Sequence, residues 1–303
     1  MVTRSDFDGL VCAVLLKEIG LIDDINFVHP KDMQDGLIDI SPNDITTNLP
    51  YVSGCYLAFN QHLSETSRAG NATKTNHIID ANAPSADRLV YDYYGGKEVF
   101  PDAWNDMMEA VDKVDAAQFS REETLKPEGW VLLNYLMDSR TGLGRFREFR
   151  ISNYQLMMEL IDYCRNHNIE EIIALPDIQE RVELYFEHVD LFEQQIKDCS
   201  AVYDKLVLLD LRAQEVIYSG NRFMIYALFP ECNISIHLMW GFKQQNTVFA
   251  VGKSILDRSS QTNVGELCLQ FGGGHMAAGT CQVSNNKIEE KKAQLVQQIN
   301  LDG

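Results

Sequence analysis

Near its end the chain reads Phe271-Gly272-Gly273-Gly274-His275-Met276-Ala277-Ala278-Gly279-Thr280. Three consecutive glycines have no Cβ atoms, so this backbone can adopt positive φ and can let a phosphate approach its N–H groups. A histidine follows at once, and the small residues after it permit tight packing behind the loop. Glycine clusters alone indicate only a turn. The histidine and the small-residue run make the pattern rarer, and they indicate a loop that binds a phosphorylated ligand.

Two aspartates near the N-terminus, Asp6 and Asp8, form a candidate metal site. Side chains at i and i+2 of an extended segment project to the same side, and paired carboxylates hold hard divalent cations through oxygen. The structural alternative is a helix start. In that case Asp8-Gly9 caps the apolar run Leu10–Ile19, and Asp6 is a solvated loop acid.

The glycine motif and the acidic N-terminus together resemble the DHH family of phosphoesterases, whose C-terminal DHHA1 domain contains the motif GGGHxxAAG. This resemblance favours the metal site over the helix cap. It implies metal-dependent hydrolysis of a phosphoester or phosphoanhydride, with two Mn²⁺ or Mg²⁺ ions in the N-terminal DHH domain. It also implies that Gly272, Gly273, Gly274 and His275 bind the substrate.

Short apolar strands alternate with amphipathic helices in the first half of the chain. The predicted strands are Ile25–Val28, Leu37–Ile40, Cys55–Phe59 and His77–Ile79, and the predicted helices are Leu10–Ile19, Ser85–Tyr94, Asp106–Val114 and Trp130–Met137. This alternation predicts an α/β fold with a mostly parallel sheet covered by helices. Ligands of such sheets bind at the carboxyl ends of the strands, where we expect Asp6 and Asp8.

Apolar residues recur at a helical period from Tyr154 to Tyr203 and predict a helical connector. After it, strands are predicted at Leu206–Leu211, Phe223–Phe229, Ile234–Trp240, Thr247–Val251 and near Cys281–Val283, and helices at Val264–Leu269 and Lys287–Ile299. We therefore predict three parts. They are a DHH metal-site domain at 1–150, the helical connector at 151–203 and a smaller α/β DHHA1 domain at 204–303.

Three further segments are similar to motifs of the family. The second motif is a single aspartate at a strand end that bridges two metals, and it corresponds to Asp44, which would otherwise be a loop acid. The fourth motif corresponds to Asp115 at a helix end, with Asp112 one turn earlier as the rival. The substrate strand of DHHA1 corresponds to Gly252–Arg258, where Arg258 can pair with a phosphate in bidentate fashion.

The third motif, DHH itself, is altered to Asn60-Gln61-His62. In the family the first histidine binds the second metal and the aspartate supports the site. Gln61 offers a neutral amide oxygen, which is a poorer ligand than imidazole for manganese-like ions, and Asn60 lacks the negative charge. Arg4 stands where many relatives have a metal-binding histidine, and arginine cannot ligate a metal. Each such loss typically costs ~10–100-fold in metal affinity or activity.

The resemblance also implies the roles of the remaining residues. Asp6, Asp8, Asp44 and Asp115 would hold the metals and activate a bridging water, and His62 would hydrogen-bond the phosphoryl oxygen or assist proton transfer. Family members cleave short oligonucleotides, cyclic dinucleotides, adenosine bisphosphate or polyphosphate. We therefore expect a small phosphorylated substrate. The alternatives are a catalytically degenerate nucleotide-binding or regulatory module and an exopolyphosphatase.

The net charge of −18 lies in residues 1–199, because residues 200–303 hold nine basic and nine acidic residues. An acidic body repels long polyanions, so we expect no duplex partner and favour small nucleotides or short single-stranded oligonucleotides over polyphosphate. We expect no membrane span, since no segment is apolar for ~18 residues, and no secretory signal. Seven scattered cysteines without a CxxC pair indicate reduced thiols. These features predict a cytoplasmic protein, and the resemblance allows a homodimer.

Overall fold

The computed structural model describes residues 1–62 and 74–303, which form two compact units. Unit 1 comprises residues 1–118, 127–139 and 146–182, and unit 2 comprises residues 119–126, 140–145 and 183–303. The boundaries therefore differ from the predicted residues 150 and 203, because the predicted connector is itself divided between the units. No helix within the described ranges has the length and apolar character needed to cross a membrane.

A five-stranded parallel sheet forms the centre of unit 1. Its strands are β1 (Val2–Arg4), β2 (Asn26–Val28), β3 (Ile45–Thr47), β4 (Leu57–Asn60) and β5 (His77–Ile79), in the order β2-β1-β3-β4-β5. Among the described residues up to 199, the α-helices are α1 (Phe7–Glu18), α2 (Pro30–Gln34), α3 (Ala86–Tyr93), α4 (Asn105–Asp115), α5 (Arg121–Leu125), α6 (Gly129–Met137), α7 (Asn153–Asn166), α8 (Ile169–Ile173) and α9 (Pro176–Cys199). Of these, α5 belongs to unit 2 and α9 is shared. The predicted α/β fold is confirmed.

Helix α1 lies in the interior of unit 1, where every residue from Phe7 to Leu16 is buried. A helix that is apolar on all sides is stable only in such surroundings. Its N-cap is Asp6, whose side chain accepts a hydrogen bond from the Gly9 N–H at 3.0 Å. Glycine is required at position 9, because a Cβ there would lie 2.0 Å from the Arg4 carbonyl oxygen. The helix cap considered from the sequence therefore exists, with Asp6 rather than Asp8 as the capping residue.

The central strand of the sheet is β3, which the sequence did not indicate as a strand. The predicted strand Leu37–Ile40 is wrong, since this segment joins no sheet. Its residues Ile38 and Ile40 pack instead against a buried cluster formed by Val2, Val28, Met33 and Leu49. Alternating apolar residues are thus satisfied here by packing alone, without the hydrogen bonds of a ladder.

A six-stranded mixed sheet forms the centre of unit 2. Its strands are β6 (Ser200–Tyr203), β7 (Leu206–Asp210), β8 (Ile234–Trp240), β9 (Asn246–Lys253), β10 (Gly272–His275) and β11 (Ala278–Ser284), in the order β10-β11-β9-β8-β7-β6. Alternate residues of β7 face two different cores, because Leu206 packs with α11 (Val264–Cys268) and α12 (Ile288–Asp302) while Val207 packs with α9 and α10 (Met224–Leu228). The segment Phe223–Phe229, predicted as a strand, contains α10.

Candidate active site

The carboxyl ends of the parallel strands meet at one edge of the unit 1 sheet. Asp6 follows β1, Asn48 follows β3, and Gln61 follows β4. Thr3 of β1 pairs with Thr47 of β3, so the residues that follow these strands are neighbours. Ligands bind at this edge in open α/β sheets, and the contacts of these side chains define the candidate site.

Asp6 is bonded through both carboxylate oxygens. Asn48 Nδ2 donates to Oδ1 and to Oδ2 at 3.2 Å each, Arg4 Nε lies 2.9 Å from Oδ2, and the Gly9 N–H donates to Oδ1 at 3.0 Å. Asn48 has a φ of 53°, in the left-handed region that asparagine tolerates better than most residues. Its backbone N–H donates to the Phe59 carbonyl oxygen at 3.1 Å. Asn48 was not among the predicted site residues.

Asp8 is buried, and its carboxylate meets the N-terminus of α3. The Asp87 N–H donates to Oδ1 at 2.7 Å and the Ala86 N–H donates to Oδ2 at 3.0 Å, where the partial positive charge of a helix start favours an anion. Burial, and then the negative charges of Asp115, Asp87 and Asp6, nevertheless raise the pKa of Asp8 well above its usual range. A carboxylate in such surroundings is stabilised by a cation or by a proton.

Gln61 connects Asp8 with Asp115. Its Nε2 donates to Asp8 Oδ2 at 3.2 Å and to Asp115 Oδ2 at 2.7 Å. Its Oε1 is buried and accepts no hydrogen bond from the described residues. Burial, and then the charge of Asp6, raise the pKa of Asp115 to about 6. Asp6, Asp8 and Asp115 therefore interact electrostatically, and we call these three residues the acidic cluster.

Asn60 has a structural role beside the acidic cluster. Its Nδ2 donates to the Leu49 carbonyl oxygen at 2.7 Å, and its Oδ1 accepts from the His62 N–H at 2.7 Å. An aspartate could not donate to Leu49, so asparagine suits this loop. His62 follows Gln61 directly and is half-buried, and its catalytic role stays a prediction.

Asp44 lies at the opposite end of β3 from the acidic cluster. It precedes the strand, and its Oδ2 accepts hydrogen bonds from the Ser41 N–H at 2.8 Å and the Ser41 hydroxyl at 2.7 Å. Burial acts to raise the pKa of Asp44, but the bonds from Ser41 and the charge of the Met1 amino group lower it. The structure thus does not bring Asp44 together with Asp6 and Asp8, because the strand Ile45–Thr47 separates them.

Asp112, the sequence rival of Asp115, is bonded to other partners. Arg88 donates to its Oδ2 through Nε at 3.0 Å and Nη2 at 2.6 Å, and the Ser85 hydroxyl donates to its Oδ1 at 2.7 Å. Asp115 is therefore the α4 carboxylate that belongs to the acidic cluster. Asp87 is a further acid at this edge that the sequence reasoning missed. Burial raises its pKa to about 7, and its only sequence signal is its place two residues after the helix cap Ser85.

The donor atoms at this edge suit a hard divalent cation. Three carboxylates stand beside the buried side-chain oxygens of Asn48 and Gln61, which accept no hydrogen bond from the part of the chain that the structure describes. Oxygen ligands are those that Mg²⁺ and Mn²⁺ prefer. Across residues 1–62 and 74–303, however, no three His, Cys, Asp or Glu side chains converge to hold a metal. A cation can therefore bind only if it displaces the nitrogen donors that are now bonded to the carboxylate oxygens.

The glycine motif of unit 2 forms an edge strand rather than a loop. Strand β10 pairs antiparallel with β11, and none of its three glycines has a positive φ. A Cβ at Gly272 would lie 1.8 Å from the Thr280 carbonyl oxygen, and one at Gly274 would lie 2.3 Å from the Ala278 carbonyl oxygen. Close approach of the two strands therefore requires these glycines, and the expected positive-φ loop is wrong.

The other predicted substrate-binding residues also lie in unit 2. A Cβ at Gly273 would meet no atom within 4 Å, so packing does not explain this glycine. His275 is exposed, and its Nδ1 accepts a hydrogen bond from the Ala277 N–H at 3.3 Å. Arg258 is exposed in the turns after β9. Their binding of substrate stays a prediction.

The parallel sheet with its edge of acidic side chains, together with the glycine edge strand of the second unit, defines a class of phosphoesterase. The chain belongs to the DHH/DHHA1 family of phosphoesterases. It is 60% identical to the pGpG-specific phosphodiesterase PggH from Vibrio cholerae, over 100% of this chain and 99% of that chain, with a TM-score of 0.88.

Two more distant structures share the fold. A DHH-domain member of the s1p family of ribosomal proteins is 12% identical over 98% of this chain and 85% of that chain, with a TM-score of 0.59. RecJ in complex with Mn²⁺ from Thermus thermophilus is 12% identical over 99% of this chain and 51% of that chain, with a TM-score of 0.51. No protein-family model and no curated protein matches the chain.

Proposed function

We propose that this chain is a phosphodiesterase that hydrolyses pGpG or a closely similar short linear dinucleotide, with Mn²⁺ or Mg²⁺ bound at the acidic cluster. The observation that carries the proposal is the 60% identity with PggH over nearly the full length of both chains. The donor set supports the metal, because the buried carboxylate Asp8 and the half-buried carboxylate Asp115 have raised pKa values and lie on either side of one amide.

Hydrolysis of pGpG adds one water across the phosphodiester and yields two molecules of GMP. The bond from phosphorus to the 3′ oxygen breaks, a bond from the water oxygen to phosphorus forms, and one water proton ends on the 3′ hydroxyl. A bound divalent cation supplies the Lewis acid that offsets phosphoryl charge and activates water.

The residues of the chain prepare the site for this reaction. Asp8 is oriented by the first amides of α3, and Asp115 by Gln61. The carboxylate of Asp6 is oriented by a hydrogen bond from Asn48 and by the ion pair with Arg4. Burial and the charge of Asp6 raise the pKa of Asp115. The positive charge of Arg4 acts in the opposite direction and lowers it. His62 is the residue we assign to proton transfer or to a hydrogen bond with the phosphoryl oxygen.

A nucleotide-binding module without catalysis is the second candidate. It is favoured by one observation, the bonding of the carboxylates to nitrogen donors of Arg4, Asn48 and Gln61. An exopolyphosphatase is disfavoured by the excess of acidic residues in residues 1–199, since these repel a long polyanion.

The test is hydrolysis of pGpG by the purified full chain with Mn²⁺ or Mg²⁺, with GMP quantified by chromatography. We expect GMP with pGpG, far less product with cyclic dinucleotide, adenosine 3′,5′-bisphosphate or polyphosphate, and none in EDTA. Asp8→Asn should lose about 10–100-fold in activity, whereas Asp39→Asn, the same change at an exposed loop position, should retain it. Binding of pGpG without turnover would replace this proposal by the binding module.

A further inference from the structure

Two cysteines of unit 2 lie side by side next to the glycine strand. Cys268 is the last residue of α11, and Cys281 lies in β11, where it pairs with Gly272 of β10. Both side chains are buried in the same apolar cluster. The Cys281 thiol donates a hydrogen bond to the Cys268 carbonyl oxygen, with 3.7 Å between sulfur and oxygen. Residues that are 13 positions apart along the chain are therefore in direct contact.

The sulfur atom of Cys268 lies against the same face of β11 from which the Cys281 thiol projects. A Cβ added to Gly279 would lie 3.0 Å from Cys268 Sγ. Residues 279 and 281 project to one face of the strand, because side chains alternate between the two faces. The lack of a side chain at Gly279 thus leaves the space in which the Cys268 thiol lies beside that of Cys281.

The two thiols also act on each other electrostatically. A hydrogen bond from the Cys268 thiol lowers the pKa of Cys281, against the effect of burial, and the positive charge of Lys291 adds to the lowering. The same contact, and then burial, raise the pKa of Cys268. A thiolate is the reactive form of cysteine, and a thiolate beside a second thiol is the arrangement from which a disulfide forms.

This pair differs from the remaining cysteines. All seven cysteines lie within the described ranges as free thiols, and the interactions that shift the pKa values of the other five involve no second cysteine. Because Cys268 and Cys281 are both fully buried, only a small oxidant reaches them. A cavity of about 120 Å³ lies close by, lined among others by Val283, two residues after Cys281, and by Lys291. A water molecule takes about 30 Å³ in the liquid, so this cavity has room for hydrogen peroxide.

We propose that Cys268 and Cys281 are a redox-sensitive dithiol, which a small hydroperoxide such as hydrogen peroxide converts into an intramolecular disulfide. The Cys281 thiolate attacks one peroxide oxygen, the O–O bond breaks, and a sulfenic acid forms while the released hydroxide takes up a proton to become water. The Cys268 sulfur then attacks the sulfenic sulfur, the S–S bond forms, and a second water leaves. The two thiols lose two electrons and two protons in all, and these reduce the peroxide to the two waters.

The disulfide would close a covalent ring that contains the whole glycine motif, because the motif lies between the two cysteines along the chain. It would join the end of α11 to β11, next to Gly272 of the edge strand. In a reducing compartment the dithiol is the resting form, and disulfides there are transient and sense oxidants. This inference goes beyond the proposed function, and its test needs neither pGpG nor a metal.

The experiment treats the full chain, first reduced with dithiothreitol and desalted into EDTA, with hydrogen peroxide. The remaining thiols are alkylated in denaturant, and tryptic peptides are mapped by mass spectrometry. Residues 259–287 contain both cysteines and no internal Lys or Arg, so one peptide reports the bridge by the loss of two hydrogen atoms and of both alkylation sites. We expect this product to form before Cys232 is modified, and dithiothreitol to restore both thiols.

Substitutions of single cysteines provide the controls. Cys268→Ala and Cys281→Ala should each abolish the bridged peptide or, respectively, its formation from either partner, whereas Cys232→Ala, the same change at another fully buried cysteine of unit 2, should form the bridge at the rate of the natural chain. The proposal is overturned if Cys281 is oxidised to a sulfinic acid without a bridge, if either cysteine bridges to a different one, or if neither reacts faster than Cys232. Should the alanine variants not fold, the peptide from the natural chain decides.

Discussion

Arg88, in the first turn of α3, binds Asp112, in the last turn of α4, through Nε at 3.0 Å and Nη2 at 2.6 Å. The first amides of α3 hold Asp8, and the last residue of α4 is Asp115. The ion pair therefore joins the two helices that position these two carboxylates, although within the described residues neither of its side chains is hydrogen-bonded to the acidic cluster.

Disruption of this pair should affect metal binding through the position of the two helices and through the charge of Asp112, which acts to raise the pKa of Asp115. We expect Asp112→Asn and Arg88→Gln each to weaken Mn²⁺ binding about 10-fold and to lower the free energy of unfolding by about 1–3 kcal/mol. In a double-mutant cycle on Mn²⁺ affinity the two changes should be strongly non-additive. Additive effects, or a loss of stability at constant Mn²⁺ affinity, would show that the pair only holds the fold together.

Asp44 and Asp8 offer a matched pair of substitutions. Asp44→Asn should leave the kcat/KM for pGpG within about threefold, because Asp44 lies beyond the other end of β3 and contacts Ser41. It should lower the free energy of unfolding by only about 1 kcal/mol, the value of a typical hydrogen bond. Steady-state kinetics beside Asp8→Asn provide the check. A loss in Asp44→Asn equal to that in Asp8→Asn would mean that Asp44 takes part in the site after all.

The glycine motif can be divided into packing and binding positions. Gly274→Ala should lower the melting temperature by several degrees, since its Cβ would lie 2.3 Å from a backbone oxygen that cannot move aside. Gly273→Ala, whose Cβ would enter open space, should leave the melting temperature nearly unchanged and raise the KM for pGpG. Thermal melts and kinetics of both variants test this, and an unchanged KM in Gly273→Ala would remove Gly273 from the substrate site.

A pH dependence of stability is expected from His237 in unit 2. Burial, and then the positive charge of Arg222, lower the pKa of His237 to about 4 from its usual 6.5. As the pH falls, His237 therefore binds a proton at a higher pH in the unfolded chain than in the folded chain. The contribution of His237 to stability is complete above pH ~6.5 and is lost as the pH falls towards ~4, by about 3 kcal/mol in all.

The measurement is urea unfolding of the natural chain and of His237→Asn between pH 4 and pH 7.5. The difference in the free energy of unfolding between the two proteins should change over this interval, with the natural chain losing more stability on acidification. A difference that is constant with pH would mean that His237 titrates alike in the folded and unfolded states.

Local sequence signals predicted much of the fold and part of the site. Apolar runs flanked by turn residues indicated β2, β4 and β5, and the apolar run after Gly9 indicated α1. The acids Asp6, Asp8 and Asp115 were found because their order along the chain is that of a known family. The position of β3 along the chain was not predicted. This three-residue strand has no hydrophobic pattern of its own, so Asp44 was assigned to the carboxyl end of the strand, which Asn48 occupies.

The role of Gln61 also could not be read from the sequence. A glutamine in place of a histidine indicates a lost ligand, but its two carboxylate partners are 53 and 54 residues away along the chain. Similarly, three glycines in a row predict freedom of φ, whereas the actual requirement comes from the backbone of β11 opposite. Both cases depend on contacts between distant segments, which composition and periodicity do not encode.

The two units are interleaved along the chain, since each is assembled from three separate stretches. This has a consequence for biosynthesis. When residue 118 leaves the ribosome, unit 1 still lacks residues 127–139 and 146–182, and residues 119–126 have to wait for the whole of 183–303 before their own unit is complete. Unit 1 is therefore complete once residue 182 has emerged, whereas unit 2 has to wait for the end of the chain, and no single cut of the gene yields two intact pieces.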